Sequence, residues 1–593
     1  MENNAYFAAI ADLFFPEIQD GADGVDAAGT AGMANAAADY EAKYPARALP
    51  DGAMVTRLGP SPTGFIHLGN LFMATVNQKL ARQSGGVFLL RVEDTDQKRE
   101  VEGAVESLIR SLAYFGIGFD EGVALGADGG GAAGGGAGAA SAKTAERGAY
   151  GPYFQSERRA IYRAFAHRLV REGKAYPCFL TEDEIAAIRA GQEASKLLTG
   201  VYGPYAAWRG ADLEAIASKL AAGEPYVIRL NAGFEDSGEG GTGGAADETI
   251  TVTDGIRGDI TLPKNIMDVV ILKKDGLPTY HFAHAIDDHL MHTTHVIRGE
   301  EWLPSLPVHI ALFRALGFAP PIYCHTALLM KMDGGVKRKL SKRTDPELAL
   351  SYYIADGYHP LAVREYLLTI INSNYEEWRL SNPELDSANF LMTTEKMGAS
   401  GILFDLDKLQ NVSRDTLARL PAAELADFLI CWAAREKPDA LPVLRENRAT
   451  LEAALDIGRA GEKPRKDLAY AAQIFGFISY FFDGYFRMED PLPENVSPED
   501  ARALLAAYLA GYCHTDGREL WFEKIRGLAA AHGYAPRPKD FKNSPDMYKG
   551  HVGDVSTVIR RALTGRQNSP DIYEIQQILG EERVRTRIER LLL

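Results

Sequence analysis

The chain has 593 residues, 46% of them hydrophobic and 24% charged, with a formal net charge of −16. That length exceeds what one hydrophobic core supports, so three or more domains are expected, and the acidic balance argues against indiscriminate polyanion binding while leaving room for a local basic face. No apolar run approaches the roughly 18 residues of a membrane span, and the cysteines at 178, 324, 431 and 513 form no C-x-x-C pair, which speaks against a disulfide scaffold and suits a reduced cytosolic setting. Residues 1–50 are Ala-, Asp- and Gly-rich, with helices expected over Ala5–Phe15 and Ala27–Tyr44. Acids flank the first apolar stretch where a targeting peptide would carry basic residues, so the segment reads as an accessory extension.

Met54–Leu58 is a short apolar run, broken by the Gly/Pro/Ser-rich stretch 59–64. From Leu68 to Ser84, positions Leu68, Leu71, Phe72, Thr75, Val76 and Leu80 recur at helical spacing; Gly85-Gly86 stops that helix and Val87–Val92 is a second strand-like run. A loop that opens onto a helix start offers unpaired N–H groups and the positive end of the helix dipole, a seat for phosphate. The residues at that seat are His67, Gly69 and Asn70. The composite Arg57-x-x-Pro60-Ser61-Pro62-Thr63-Gly64-x-x-His67-x-Gly69, followed by R-V-E-D-T-D at 91–96, resembles the nucleotide-binding signature of class I aminoacyl-tRNA synthetases, in particular their glutamyl and glutaminyl branch.

Val101, Val105, Leu108, Ile109, Leu112 and Phe115 form a further helical stripe that ends at Gly116. The following glycine-rich stretch cannot build a core, so 126–148 is expected to be a flexible surface insertion, and it lacks a Walker pattern. Ordered structure restarts at Gly151. Ile161, Phe165 and Leu169 mark a helix on which Arg158, Arg159, Arg163, Arg168 and Arg171, taken singly, read as a solvated face. By the resemblance, 156–265 is a domain inserted between the halves 51–155 and 266–345 of a Rossmann-like α/β catalytic fold, and it holds the acceptor end of tRNA, with a strand in Gly223–Leu230. Where many members of the family begin a zinc site with C-x-C, this chain has Cys178 alone, so no structural zinc is expected.

Ile266–Gly276 reads as a strand and turn. The histidines at 281, 284, 289, 292 and 295 lack H-E-x-x-H spacing and are assigned to pocket lining and hydrogen bonding, with no catalytic metal. After the apolar run Ile322–Met330 comes a basic loop in which Lys339-Leu340-Ser341-Lys342-Arg343 resembles the second class I signature, K-M-S-K-S. Beyond Thr344 the pattern is helical. The resemblance makes 346–420 a stem-contact region and 421–593 a helical anticodon-binding region, similar to bacterial-type glutamyl enzymes and unlike the β-barrels that end the glutaminyl ones.

The resemblance implies ATP-dependent activation of L-glutamate to glutamyl-adenylate, with Mg2+ accompanying ATP, and transfer to the 3'-terminal adenosine of tRNA(Glu). Charging of tRNA(Gln) is left open, and the alternatives are a glutaminyl-tRNA synthetase or a non-acylating nucleotide- or RNA-binding relative. ATP would be held by Pro60, His67, Gly69, Asn70, Glu301, Lys339 and Lys342, with His67, Lys339, Ser341 and Lys342 catalytic. Glutamate would be held by Arg57, Gly59, Ser61, Glu93, Tyr280, His284, Arg298 and Trp302; at 284 many glutamyl enzymes carry Asn. An amino acid with two carboxylates and an ammonium calls for two guanidinium groups and one carboxylate, which Arg57, Arg298 and Glu93 supply. A cytoplasmic monomer acting away from membranes is expected.

Overall fold

In the computed structural model the described residues are 2–18, 36–126, 144–234, 248–341, 343–459 and 464–593. Part of the expected Ala27–Tyr44 helix, most of the glycine-rich stretch and Lys342 therefore lie outside the described residues.

After α1 (Glu2–Phe14) and α2 (Ala37–Lys43), the expected first half of the α/β fold runs β1 (Val55–Leu58), α3 (Leu68–Gln83), β2 (Val87–Leu90), α4 (Ala104–Tyr114), β3 (Glu121–Leu125) and β4 (Thr144–Arg147). β1, β2 and β3 are parallel, with Val55 opposite Val87 and Leu58 opposite Leu90. All four residues of β1 are buried, as a strand covered on both faces requires. β4 pairs antiparallel with β3, so Thr144–Arg147, expected to belong to the insertion, is a strand. The segment expected to be inserted follows with α5 (Arg159–Arg171), β5 (Ala175–Cys178), α6 (Glu182–Ala194), α7 (Leu213–Ala221), β6 (Val227–Leu230) and the hairpin of β7 (Thr249–Asp254) with β8 (Gly258–Pro263). β9 (Val270–Leu272), expected in the second catalytic half, instead pairs with β6 and completes the sheet β5-β6-β9.

The chain then returns through α8 (Tyr280–Leu290), β10 (His295–Gly299), α9 (Leu306–Leu316) and β11 (Ile322–Thr326). β10 and β11 are parallel, and the Thr294 N–H donates to the Val55 carbonyl at 3.0 Å, which sets β10 beside β1. β12 (Leu329–Asp333) and β13 (Val336–Lys339) form the hairpin that leads into the second signature, and β14 (Ile402–Leu403) pairs parallel with β12.

Around the helix at 159–171 the solvated-face reading holds for Arg159 and Arg171, which are exposed, and is corrected for Arg158, Arg163 and Arg168. Arg158 is fully buried and bonds Asp287 at 2.7 Å, while Arg168 meets Glu41 at 3.0 Å and Arg163 pairs with Glu17. Those glutamates come from the N-terminal segment, which packs α1 and α2 on α5, buries Ile10, Phe14 and Phe15, and anchors the Tyr44 hydroxyl on the Gly151 carbonyl at 2.7 Å. Acids in a region that looks accessory thus serve as counterions for a helix more than a hundred residues away.

Two compact units are formed, one from the described residues up to 351 with 367–404, the other from 352–366 and 405–593. In the first unit, Lys79 and Gln83 of α3 donate to the carbonyls of Ala388 and Met392, so residues in the expected stem-contact region are tied to α3. The named elements of the second unit from Leu406 onward are all helices, and its core includes Leu429, Trp432, Tyr480, Phe481, Trp521, Ile559, Ile575 and Ile588. Among the described residues no helix is long and apolar enough to cross a membrane.

Candidate active site

α3 begins as the sequence pattern requires. His67 caps it in extended conformation: its Nδ1 accepts from the Asn70 N–H at 3.2 Å while the Asn70 side-chain oxygen accepts from the His67 N–H at 3.0 Å. With Nδ1 an acceptor, the neutral ring carries its proton on Nε2, a donor suited to phosphate oxygens. His67, Gly69, Asn70, Pro60, Glu301 and Lys339 line one cleft of about 490 Å³ together with Arg57, Gly59, Glu93, Tyr280, Arg298 and Trp302. Ser61 lines an adjoining cleft that shares Pro60, His67, Asn70, Glu93, Tyr280 and Trp302. Residues expected to hold ATP and residues expected to hold glutamate therefore meet in one cavity, of ordinary size for small substrates.

Two expected members stand apart. His284 is fully buried and does not line the cleft: its Nδ1 lies 2.7 Å from Asp288 and its Nε2 3.0 Å from the Tyr323 hydroxyl. The Asp288 carboxylate accepts only, so Nδ1 carries the hydrogen and the nearby Arg57 Nη2, at 3.4 Å, makes no hydrogen bond to it. Burial lowers the His284 pKa to about 3 in spite of Asp288, and the ring stacks 5.9 Å behind Tyr280. Ser341 also lies off the cleft lining; its N–H donates to Asp345 at 2.8 Å, and the same carboxylate takes both terminal nitrogens of Arg338 at 2.6 and 2.8 Å. Arg338 thereby holds the Asp345 pKa far below the usual carboxylate range, and the turn that carries the second signature is pinned from beneath.

Behind the cleft lies a buried ionic cluster that sequence reasoning missed. Arg91 bonds Asp288 at 2.6 Å and Glu93 at 3.1 Å; Arg57 reaches Asp288 at 3.3 Å; Asp287 accepts from Arg158 at 2.7 Å and from Gln155 and Tyr162 at 2.9 Å. Burial raises the Glu93 pKa, opposed by Arg91 and Arg57, whereas Asp288 overcomes its burial through the same two arginines and is held well below its usual value. A signal was available: Arg91 interrupts the apolar run V-F-L-L-R-V and the Asp pair follows A-I on a buried helix, places where a charge needs a partner. Gly59 fits the same cluster, because a Cβ there would run into the Glu93 carboxylate.

Arg298 is 5% exposed, and its surroundings differ. Nε donates to His325 Nε2 at 3.0 Å, Nη1 to His309 Nδ1 at 3.1 Å, and the guanidinium lies 4.8 Å from the Tyr323 ring and 5.9 Å from that of Trp302. Burial depresses the pKa of both histidines, so its direct partners are neutral. Nη2 has no hydrogen-bond partner among the described residues. Glu300, a residue close enough in sequence to serve as a structural counterion, is occupied by Arg257 at 2.6 Å. Where Arg57, Arg91 and Arg158 each touch a carboxylate, Arg298 brings a buried positive charge to the cleft wall without one.

Residues 53–410 match the family described as tRNA synthetases class I (E and Q), catalytic domain, and residues 548–592 match an anticodon binding domain. The chain is 54% identical over 549 residues to the glutamate–tRNA ligase of Acetivibrio thermocellus, covering 93% of this chain and 95% of the relative. It is 42% identical over 572 residues to that of Sorangium cellulosum, covering 93% and 97%. Among solved structures, a glutamate tRNA ligase from Elizabethkingia meningosepticum in complex with its amino acid is similar with a TM-score of 0.66 at 27% identity, over 91% of this chain and 99% of that one.

Proposed function

The chain belongs to the class I tRNA synthetases for glutamate and glutamine, among their glutamate–tRNA ligases, and on that premise we propose how its residues divide the work of joining L-glutamate to tRNA(Glu). The observation that carries the assignment is the unmatched guanidinium of Arg298 at the wall of a cleft that also holds the capped start of α3. The substrate's side-chain carboxylate supplies the missing charge, bidentately if it takes Nη2 and the second Nη1 hydrogen. Glu93 receives the ammonium. Arg57, its charge shared with Asp288, and the ring of Tyr280 shape the rest of the pocket.

The α-carboxylate is ionised at neutral pH and needs no base; it needs alignment with the α-phosphorus of ATP. As its oxygen bonds phosphorus, the bond to the β-phosphate oxygen breaks and pyrophosphate leaves, giving glutamyl-adenylate. The N–H groups opening α3, the Nε2–H of His67 and the ammonium of Lys339 meet the phosphates and the charge that develops on them. Lys342, outside the described residues, has the same role by its place in the signature. Mg2+ bound with ATP would offset part of the phosphate charge. The terminal adenosine of tRNA then attacks the acyl carbon through its 2'-hydroxyl and AMP departs.

Purified protein given labelled glutamate, ATP and tRNA(Glu) should make label acid-precipitable, and pyrophosphate exchange should depend on tRNA, because the acceptor end completes the pocket. Precipitable label with glutamine in place of glutamate would overturn the assignment, and running purified tRNA(Gln) beside tRNA(Glu) reads the acceptor range.

A further inference from the structure

The nitrogens that hold Arg298 are themselves held. His325 Nε2 accepts from Arg298, so the single hydrogen of the neutral ring is on Nδ1, and that nitrogen lies 2.6 Å from Asp254 Oδ2. Asp254 is 2% exposed, and its other oxygen accepts the N–H groups of Ile256 and Arg257 at 2.9 and 3.0 Å. It ends β7, and the turn beyond it is tied to the same region: Arg257 bonds the His325 carbonyl at 2.9 Å and Glu300 at 2.6 Å. A hairpin of the inserted segment thus reaches the arginine of the amino-acid pocket through one imidazole. Burial pulls the His325 pKa down against the pull of Asp254, and Asp254, which burial would raise, is brought below its usual value by His325 and the turn amides. The ring stays neutral with one tautomer.

We propose that Asp254 and His325 are positioning residues for substrate choice, Asp254 fixing the His325 tautomer and His325 Nε2 fixing the guanidinium of Arg298 on the side-chain carboxylate. This rests on the reading of Arg298 as the ligand of that carboxylate. The tautomer matters because arginine only donates. Were the hydrogen on Nε2, two donors would face each other at 3.0 Å and the guanidinium would swing off its axis.

Asp254→Asn makes that change. Its oxygen can keep the two turn amides and the 3.3 Å contact from the His325 backbone N–H, while its NH2, in place of the oxygen that accepts that N–H at 3.1 Å, faces His325 Nδ1 and drives the ring hydrogen to Nε2. KM for glutamate in tRNA charging should rise at least about tenfold, with KM for ATP and the melting temperature little changed and the glutamate-to-glutamine ratio reduced. His325→Leu, which removes the acceptor, should do the same. His325→Gln, whose amide can turn its oxygen to the arginine, should recover most of that loss, and adding Asp254→Asn to it should cost less than about threefold more. An Asp254→Asn enzyme with unaltered glutamate KM, or an equal loss in the His325→Gln background, overturns the relay. Should Asp254→Asn fail to fold, the His325→Leu and His325→Gln pair decides alone: equal KM values in the two overturn it. Arg298→Cys, measured beside them, separates the claims: if it too leaves glutamate KM and the ratio unaltered, the reading of Arg298 has failed; if it alone alters them, only the relay has.

Discussion

At position 59 the difference between a hydrogen and a methyl group decides whether Glu93 can stand at the cleft. A Cβ would occupy the place of the carboxylate that we assign to the substrate ammonium. Gly59→Ala should therefore raise KM for glutamate by roughly tenfold or more while leaving KM for ATP nearly unchanged, since displacing one buried ion partner typically costs a few kcal/mol. Steady-state kinetics with each substrate varied in turn checks this, and equal KM values for glutamate in the two proteins would contradict it. The resemblance grouped Gly59, Glu93 and Arg298 as one expected set, and all three line the cleft. It did not show that Glu93 is braced by Arg91, or that Arg298 rests on His309 and His325, since these contacts join residues whose spacing follows no local period. His284 shows the converse: its position matched a pocket residue, but the imidazole is committed to Asp288 and Tyr323 behind the wall.

Among elements, the hairpin β12–β13 and the turn after it carry the second signature, and Asp345 gathers Arg338, Ser341 N–H and the Thr344 hydroxyl onto one carboxylate. Lys342→Ala should lower kcat about a hundredfold and hardly alter ATP binding, because a cation that meets developing phosphoryl charge contributes mostly in the transition state. Asp345→Asn removes charge from the anchor and spares the reacting cations, and should lower kcat by roughly tenfold. Rapid-quench measurement of adenylate formation tests both, and weaker ATP binding with an unchanged chemical step in Lys342→Ala would refute the assigned role. Element identity was readable from period and punctuation: α3 and the flanking strands fall where Leu68–Ser84 and its glycines put them. Partnership was not. β9 joins the inserted sheet because β6 offers it an edge, and Arg158 is buried because Asp287, across 129 residues, accepts it; neither partner leaves a mark beside the residue it satisfies.

For the molecule as a whole, charge placement sets the response to acid. In the catalytic unit, burial depresses the pKa of His281, His284, His289, His295, His309 and His325, to about 3 for His284 and about 4 for His289. A group lowered on folding binds its proton first in the unfolded chain, so the stability it confers is complete above about pH 6.5 and is lost as the pH falls toward the folded values. For His284 alone the loss at pH 5 is about 2 kcal/mol. Asp254 and Asp288 act in the same direction below about pH 4, and Glu93, raised on folding, acts against them. Pulse proteolysis in urea at pH 7.5 and 5.5 should show the catalytic unit yielding at lower urea in the more acidic buffer; an unchanged midpoint would contradict this. The fold leaves a buried charge at Arg298 without a carboxylate partner among the described residues. An amide offers that guanidinium one acceptor oxygen and turns N–H groups toward it, so part of the charge remains unpaired. The most direct test is kcat/KM for charging tRNA(Glu) with glutamate and with glutamine, measured on the unaltered enzyme and on Arg298→Cys, with melting temperatures taken alongside. A strong preference for glutamate should fall by about a hundredfold or more in the variant, with the melting temperature moved by no more than a few degrees; a variant that melts much earlier yet keeps the same glutamate-to-glutamine ratio would contradict this role of Arg298.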